Sequence, residues 1–230
     1  SISMKNAKIF AGALTTNEKN RQIQIRKGIL NMKYIIFDLD GTLIDNSAGI
    51  CSSIVNFLPK FGVSGVSEEE IRPMFKDCTR SILKNHFDFE GEKLENAMKI
   101  HRNYMRTEGL FKVKLYDGVT ELLEFLKSRG VIIALATLKN EFVANEILKN
   151  LNILHFFSAV FGQDDAESFE KAEMIEKIKD IFNPKRAILI GDSWVDGEAA
   201  EKSGVDFGAV MYGMCFKNKS EAEAFSPVFS

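Results

Sequence analysis

The sequence predicts an α/β fold, in which helices cover both faces of a parallel sheet and a helical segment interrupts the sheet after its first strand. Short apolar runs typical of buried strands alternate with amphipathic helical patterns along most of the chain. This alternation indicates a parallel sheet sandwiched by helices. Residues 47–112 break it, because they contain helical patterns but no convincing strand, and we expect them to form a helical insert.

Five apolar runs are predicted strands, and they lie at residues 33–37, 131–136, 159–161, 187–190 and 207–211. Apolar residues at helical spacing predict core helices at 118–126, 142–151 and 172–182. The insert has four such patterns, at 50–58, 67–75, 81–87 and 92–105. We therefore expect a sheet domain of residues 32–46 and 113–230 and a helical insert of residues 47–112. Residues 1–31 form an N-terminal extension, which is either a native arm or a tag-derived segment.

The composition excludes several classes of protein. Of the 230 residues, 45% are apolar and 27% are charged, as in ordinary globular proteins. The net charge of −2 leaves no basic excess for nucleic-acid binding. The longest clean apolar run, residues 131–136, is far shorter than the ~20 residues that span a membrane. Three widely spaced cysteines without a CxxC motif indicate reduced thiols. We expect a cytoplasmic protein that binds neither nucleic acid nor membrane.

Two acids follow the first predicted strand. Asp38 and Asp40 come directly after its apolar run, in the segment Asp-Leu-Asp-Gly-Thr. In a continuing strand both side chains would share one face, where their charges repel each other. A hairpin corner at Asp40 and Gly41 would explain the glycine but not the two acids. Open α/β sheets bind ligands at the carboxyl ends of their strands, so this segment is a candidate ligand site.

A second pair of acids, Asp192 and Asp196, follows the strand at 187–190. If a helix starts near Ser193, their spacing puts both on one side of its first turn. Helix capping by Asp192 and a favourable charge at Asp196 would explain this pair taken alone. Four acids that converge at one sheet edge need a cation, however. The candidate ligands are all oxygens, without His or Cys, which favours Mg²⁺.

Two further residues are weaker candidates when each is considered alone. Thr137 ends the strand at 131–136, where its hydroxyl can bind a phosphoryl oxygen or cap a helix. Lys171 opens the helix at 172–182 after a polar loop, where most lysines are simply exposed charges.

These residues, in this order, resemble the four motifs of the haloacid dehalogenase superfamily. The motifs match residues 38–42, Thr137, Lys171 and residues 191–196, and the resemblance extends over residues 33–215. The helical insert resembles the α-helical cap domain of the phosphoglycolate phosphatase and β-phosphoglucomutase branch. The resemblance implies a Rossmann-like parallel sheet with an inserted cap. Lys171 lacks the proline that often follows the family lysine, and Lys139 is a competing candidate for that position.

The resemblance implies a Mg²⁺-dependent phosphatase that hydrolyses a small phosphorylated metabolite through an aspartyl-phosphate. Asp38 is then the nucleophile, and Asp40 is the general acid that later becomes the general base. Thr137 and Lys171 hold the phosphoryl oxygens.

The same resemblance implies the residues that bind the metal and the substrate. Asp38, Asp192 and the backbone carbonyl of Asp40 hold the Mg²⁺, and Asp196 acts behind them, on the metal's waters or on Lys171. The implied substrate-binding residues are Gly41, Thr42, Arg80 and Leu138. Arg80 belongs to the predicted cap loop at residues 75–80, where a guanidinium suits a second anionic group on the substrate but is equally well explained as a surface charge.

Two other functions remain open on this scaffold, a phosphomutase and a phosphoacceptor that does not turn over. The mutases carry a histidine about twelve residues after the nucleophile, whereas this chain has Ile50 there and no histidine between Asp38 and His86. A phosphoacceptor resembling a receiver domain would be about half this length and would lack the insert. The phosphatase is therefore favoured, as a monomer or homodimer.

Overall fold

The computed structural model describes residues 32–74, 79–166, 168–216, 218–225 and 228–229. Its strands are β1 (Tyr34–Phe37), β2 (Ile44–Asp45), β3 (Lys114–Leu115), β4 (Ile132–Asn140), β5 (Ala159–Gln163), β6 (Ile188–Gly191), β7 (Asp206–Val210) and β8 (Val228–Phe229). Its α-helices are α1 (Ser47–Phe57), α2 (Glu68–Ile71), α3 (Thr79–Phe87), α4 (Gly91–Thr107), α5 (Val119–Ser128), α6 (Glu141–Asn150), α7 (Lys171–Phe182), α8 (Trp194–Lys202) and α9 (Lys219–Glu223). The predicted N-terminal extension lies outside the described residues.

Within the described residues the main sheet has six strands in the order β5-β4-β1-β6-β7-β8, and every neighbouring pair is parallel. The chain moves outward from β1 through β4 to β5, and then fills the other side with β6, β7 and β8. Because this order reverses direction beside β1, the loops after β1 and β6 diverge and leave a crevice at their carboxyl ends. The predicted α/β fold with a parallel sheet is confirmed.

Apolar side chains alternate between the two faces of the central strand. Ile35 packs in one cluster with Leu123 of α5 and Ile147 of α6. The next residue, Ile36, points to the opposite face and packs with Ile175 of α7 and Ala200 of α8. Helices therefore cover both faces, which explains why the strands are continuous apolar runs rather than alternating ones.

Strand β4 continues beyond the predicted end at residue 136, through an irregular segment. Ala136 pairs with Phe161 and Asn140 with Gln163, so β4 advances four residues while β5 advances two. Gly162 accommodates this bulge, because a Cβ there would lie 2.6 Å from the Lys139 carbonyl oxygen. Bulges of this kind redirect side chains beside functional sites, and residues 137–139 of this one lie at the carboxyl end of β4.

The helical insert has its own apolar cluster, which includes Ile54, Phe57, Leu83 and Leu94. The chain enters and leaves it through a two-stranded antiparallel ribbon, in which β2 pairs with β3. No described residue of the segment 47–112 lies in a strand. The second predicted helix is shorter than expected, because α2 gives way to a 3₁₀ turn that contains Pro73, which cannot donate a helical hydrogen bond. These features support the domain boundaries at 47 and 112, which remain a proposal.

Candidate active site

The first and last acidic motifs meet at the carboxyl ends of the adjacent strands β1 and β6. The backbone N–H of Asp38 donates a hydrogen bond of 2.9 Å to the carbonyl of Ile190, which continues the pairing of the two strands. Carboxylate oxygens of Asp38, Asp192 and Asp196 all lie within 4.8 Å of one another, and all three residues are buried. We call these three residues the acidic cluster.

Lys171 supplies the positive charge of the acidic cluster. It is the first residue of α7, and its ammonium lies 2.7 Å from Oδ1 of Asp38 and also binds Oδ1 of Asp196. Its side chain is only 4% exposed, so it is not the solvated lysine that composition alone would favour. Three carboxylates against one ammonium leave two negative charges in a buried site, and such an excess requires protons or a cation.

Asp196 makes contacts both within its own helix and with Lys171, and its role behind the metal stays a prediction. Ser193 is the N-cap of α8: its Oγ accepts from the Asp196 N–H, and Oδ2 of Asp196 accepts from the Ser193 N–H at 3.0 Å. The other oxygen of Asp196 binds Lys171. The capping role considered for Asp192 is wrong, because Ser193 occupies the N-cap position.

Asp192 is held by backbone groups from a distant loop. Its Oδ2 accepts from the N–H groups of Met214 at 2.7 Å and of Cys215 at 3.2 Å. Gly41 and Gly213 lie against this carboxylate so closely that a Cβ at either position would overlap it. Gly41 also has φ of +78°, a conformation that glycine adopts without strain. The glycine of the first motif is therefore required by the close approach of Asp192.

The carboxylate of Asp40 has partners that are separate from those of the acidic cluster. Oδ1 accepts from Nδ2 of Asn46 at 2.7 Å, and Oδ2 lies 2.8 Å from the ammonium of Lys139. The two candidate lysines therefore bind different acids, Lys171 at Asp38 and Lys139 at Asp40. Metal binding by the backbone carbonyl of Asp40 stays a prediction.

Thr137 is buried, and its Oγ1 accepts from the N–H of Lys139 at 3.2 Å. The alternative role of Thr137 as a helix N-cap is wrong, because Asn140 caps α6 by accepting from the N–H of Val143. A hydroxyl that accepts in this way retains its hydrogen for donation. Thr137 thus stays a candidate donor to a phosphoryl oxygen.

The remaining predicted substrate-binding residues lie in different environments. Thr42 is buried, and its Oγ1 has no hydrogen-bond partner among the described residues. Leu138 is 44% exposed beside Thr137.

Arg80 lies on α3 and binds both carboxylate oxygens of Glu95 on α4, on an exposed face of the insert. Substrate binding by Arg80 stays a prediction, and it would require exchange of this partner. Residues 75–78 of its loop, with Cys78, lie outside the described residues.

Sequence reasoning missed the residues that support the acids. Asn46 carries no motif signal, because only the turn after Asp40 brings its amide back to that carboxylate. The N–H groups of Met214 and Cys215 are backbone donors, which any residue type would supply. The glycine at position 213 was the one available signal in that loop.

Burial changes the protonation of the cluster. It raises the pKa of Asp192 to about 6, with a further contribution from the charge of Asp196. Burial also raises the pKa of Asp38 well above the usual range, although Lys171 opposes this effect. For Lys171, burial disfavours the charged form, but Asp196 and Asp38 outweigh it and raise the pKa. Without a metal, the cluster therefore retains protons that exposed aspartates would lose.

We expect Asp192→Asn to change how the stability of the metal-free protein depends on pH. The folded chain holds the Asp192 proton more tightly than the unfolded chain, because its pKa is raised from 3.8 to about 6. This contribution favours folding at low pH and is lost as the pH rises through about 6. The free energy of unfolding of the wild type should therefore fall relative to that of the variant by roughly 3 kcal/mol at most.

Denaturant titrations in chelator, between about pH 4 and pH 7, measure this difference. Asparagine retains an acceptor for Met214 and Cys215, so the variant should fold. Asp206→Asn is the matched control, since Asp206 is an accessible aspartate that pairs with Arg186. A difference between wild type and Asp192→Asn that stays constant with pH would contradict the assignment.

Comparison with known proteins agrees with the four motifs. The family model described as haloacid dehalogenase-like hydrolase matches residues 35–210. A 5′-nucleotidase of Pseudomonas aeruginosa is 30% identical over 206 residues, which cover 88% of this chain and 92% of the relative. A phosphoglycolate phosphatase of Aquifex aeolicus is 26% identical and covers 79% of this chain and 86% of its own.

The fold has counterparts among solved structures. A haloacid dehalogenase-like hydrolase of Streptococcus pneumoniae superposes with a TM-score of 0.74 at 27% identity, over 86% of this chain and 93% of that chain. Among the described helices, none combines the length and the apolar character needed to cross a membrane. The chain belongs to the haloacid dehalogenase-like hydrolase family, as its four motifs predict, and it is a phosphatase of that family.

Proposed function

We propose that this phosphatase hydrolyses small phosphorylated metabolites with the help of Mg²⁺, by transferring the phosphoryl group to Asp38 and then to water. The observation that carries the proposal is the acidic cluster, a buried group of three carboxylates whose charge Lys171 balances only in part. The family membership and the order of the four motifs along the chain support the same chemistry.

The donor set of the acidic cluster fits Mg²⁺. Its side-chain ligands are carboxylate oxygens, which this cation prefers, and the two uncompensated negative charges match a divalent ion. Asp38 and Asp192 would hold the ion together with the carbonyl of Asp40, and Asp196 would orient Lys171. When bound, the ion would neutralise charge on the phosphoryl oxygens.

The first half-reaction forms a bond between an Asp38 oxygen and phosphorus and breaks the bond from phosphorus to the leaving oxygen. Asp40 donates a proton to that oxygen, so the organic product leaves as a neutral hydroxyl. Lys171 lies 2.7 Å from Oδ1 of Asp38 and holds the nucleophile in place for this attack. Lys171 and Thr137 then donate to the phosphoryl oxygens, on which charge accumulates.

The second half-reaction regenerates the enzyme. Asp40, now a carboxylate, takes a proton from water, whose oxygen attacks phosphorus, and the bond from Asp38 to phosphorus breaks to release inorganic phosphate. The same acid thus serves both halves. A phosphoryl-Asp38 that accumulates without hydrolysis would instead favour the phosphoacceptor, and transfer to a second sugar phosphate would favour the mutase.

The identity of the leaving group is a separate question from the chemistry at phosphorus. The two relatives described above are named for different phosphate esters, a nucleotide and phosphoglycolate. Their shared similarity to this chain supports a common phosphoryl site with leaving groups selected elsewhere, for which the helical insert is the candidate. A screen of phosphorylated metabolites for released phosphate identifies the substrate. The cytoplasmic location and the monomeric or dimeric state stay predictions from the sequence.

We expect Asp38→Asn to abolish phosphate release while the chain stays folded. An amide cannot form the acyl-phosphate, so activity should fall by several orders of magnitude. Phosphate release and far-ultraviolet circular dichroism measure the two properties. Asp206→Asn, at an accessible aspartate outside the site, should retain wild-type activity. If Asp38→Asn keeps more than a few per cent of activity, Asp38 is not the nucleophile.

We expect activity to disappear in chelator and to return with Mg²⁺ or Mn²⁺ but not with Ca²⁺. The larger and looser coordination shell of Ca²⁺ should misplace the reacting groups. Initial rates of phosphate release after dialysis and addition of each ion check this. Full activity of the chelated protein would rule out the divalent ion.

A further inference from the structure

We propose that Lys139 and Asn46 are positioning residues that hold the Asp40 carboxylate from both sides, so that it can move a proton in each half-reaction. This inference rests on the proposed function and adds residues that the four motifs do not assign. It also gives the two lysines of the site separate tasks, Lys171 at the nucleophile and Lys139 at the acid and base.

The two contacts occupy both oxygens of Asp40. Asn46 donates to Oδ1 at 2.7 Å, and the Lys139 ammonium lies 2.8 Å from Oδ2. An aspartate in a turn otherwise has several accessible side-chain rotamers, and two donors at opposite oxygens select one of them. Because proton transfer requires the donor and acceptor atoms within hydrogen-bond reach, this selection bears directly on the rate.

The two donors come from independent parts of the fold. Asn46 is buried at the entrance to the helical insert, directly before α1, whereas Lys139 lies in the bulged end of β4. The close approach of Gly162 to the Lys139 carbonyl fixes the backbone of that bulge. The Asp40 side chain is thus held between the sheet and the entrance to the insert, by a lysine whose backbone lies in the bulge and by a buried asparagine.

The environment of Lys139 indicates an ammonium paired with a specific acid, and not one surrounded by solvent. Its side chain is 10% exposed, and Asp40 is its only ionic partner in the described part of the chain. His101 lies on α4 of the insert, and its Nδ1 forms a hydrogen bond of 2.9 Å with Oγ of Ser53. Burial lowers the pKa of His101 to about 3, and the charge of Lys139 contributes to this. The neutral His101 cannot compensate an ammonium, so that compensation comes from Asp40.

A displaced Asp40 should affect the two half-reactions unequally when the leaving group is good. p-Nitrophenolate leaves without protonation, so transfer from p-nitrophenyl phosphate to Asp38 needs no general acid. Hydrolysis of the phosphoryl-enzyme still needs Asp40 as the base. Loss of the positioning residues should therefore spare the first half-reaction and slow the second, which turns the variant into an enzyme that accumulates phosphoryl-Asp38.

Pre-steady-state release of p-nitrophenol tests this in the Mg²⁺-loaded full chain. We expect Lys139→Met to release about one p-nitrophenol per chain in a burst close to the wild-type rate, followed by a steady state slower on the order of 100-fold. Asn46→Ala should show the same pattern to a smaller extent. Lys139→Arg, which retains a cation, should recover at least part of the steady-state rate. Lys149→Met removes an accessible lysine of α6 and should match the wild type.

Several outcomes would overturn the proposal. Equal slowing of burst and steady state would mean that Lys139 serves the fold, and loss of the burst would place it at the phosphoryl group, in the role given to Lys171. Unchanged kinetics of Lys139→Met, or no recovery with Lys139→Arg, would remove its role at Asp40 while leaving the phosphatase intact. A wild type that releases no p-nitrophenol would overturn the proposed function and this inference with it.

Discussion

The rest of the site depends on the buried ion pairs that the ammonium of Lys171 forms with Asp38 and Asp196. A buried carboxylate without a partner is costly, and removing one member of such a group leaves the others uncompensated. Here one ammonium lies among three carboxylates, so the folded protein has an excess of negative charge at this site. This excess negative charge destabilises the folded protein. It also creates affinity for a divalent ion and for the phosphate that accompanies it, which catalysis requires.

The topology of the sheet brings these charged residues together, and the apolar core holds them in place. The central strands β1 and β6 deliver Asp38 and Asp192 at the crevice where their loops diverge, and the starts of α7 and α8 add Lys171 and Asp196. Each of these positions is fixed by apolar packing on both faces of the sheet. A small polar site is therefore supported by a large apolar core.

The parts that the sequence predicted are those with a strong local signal. Apolar runs that end in acids located the strands and the acidic cluster, because strand ends and ligand sites coincide in parallel sheets. The support of Asp40 could not be predicted in this way. Asn46 reaches it through a turn, and Lys139 through a bulge that continues β4 beyond its apolar part. Such contacts depend on tertiary geometry, which residue type and spacing do not predict.

Calorimetric titration of the metal-free protein with Mg²⁺, in two buffers of different ionisation enthalpy, tests the charge balance most directly. We expect one ion per chain and a release of protons near neutral pH, because the ion displaces protons that burial retains on the acidic cluster. Asp192→Asn should weaken the binding. Binding without proton release and with undiminished affinity in Asp192→Asn, or no binding at all, would contradict a divalent-ion site at the acidic cluster.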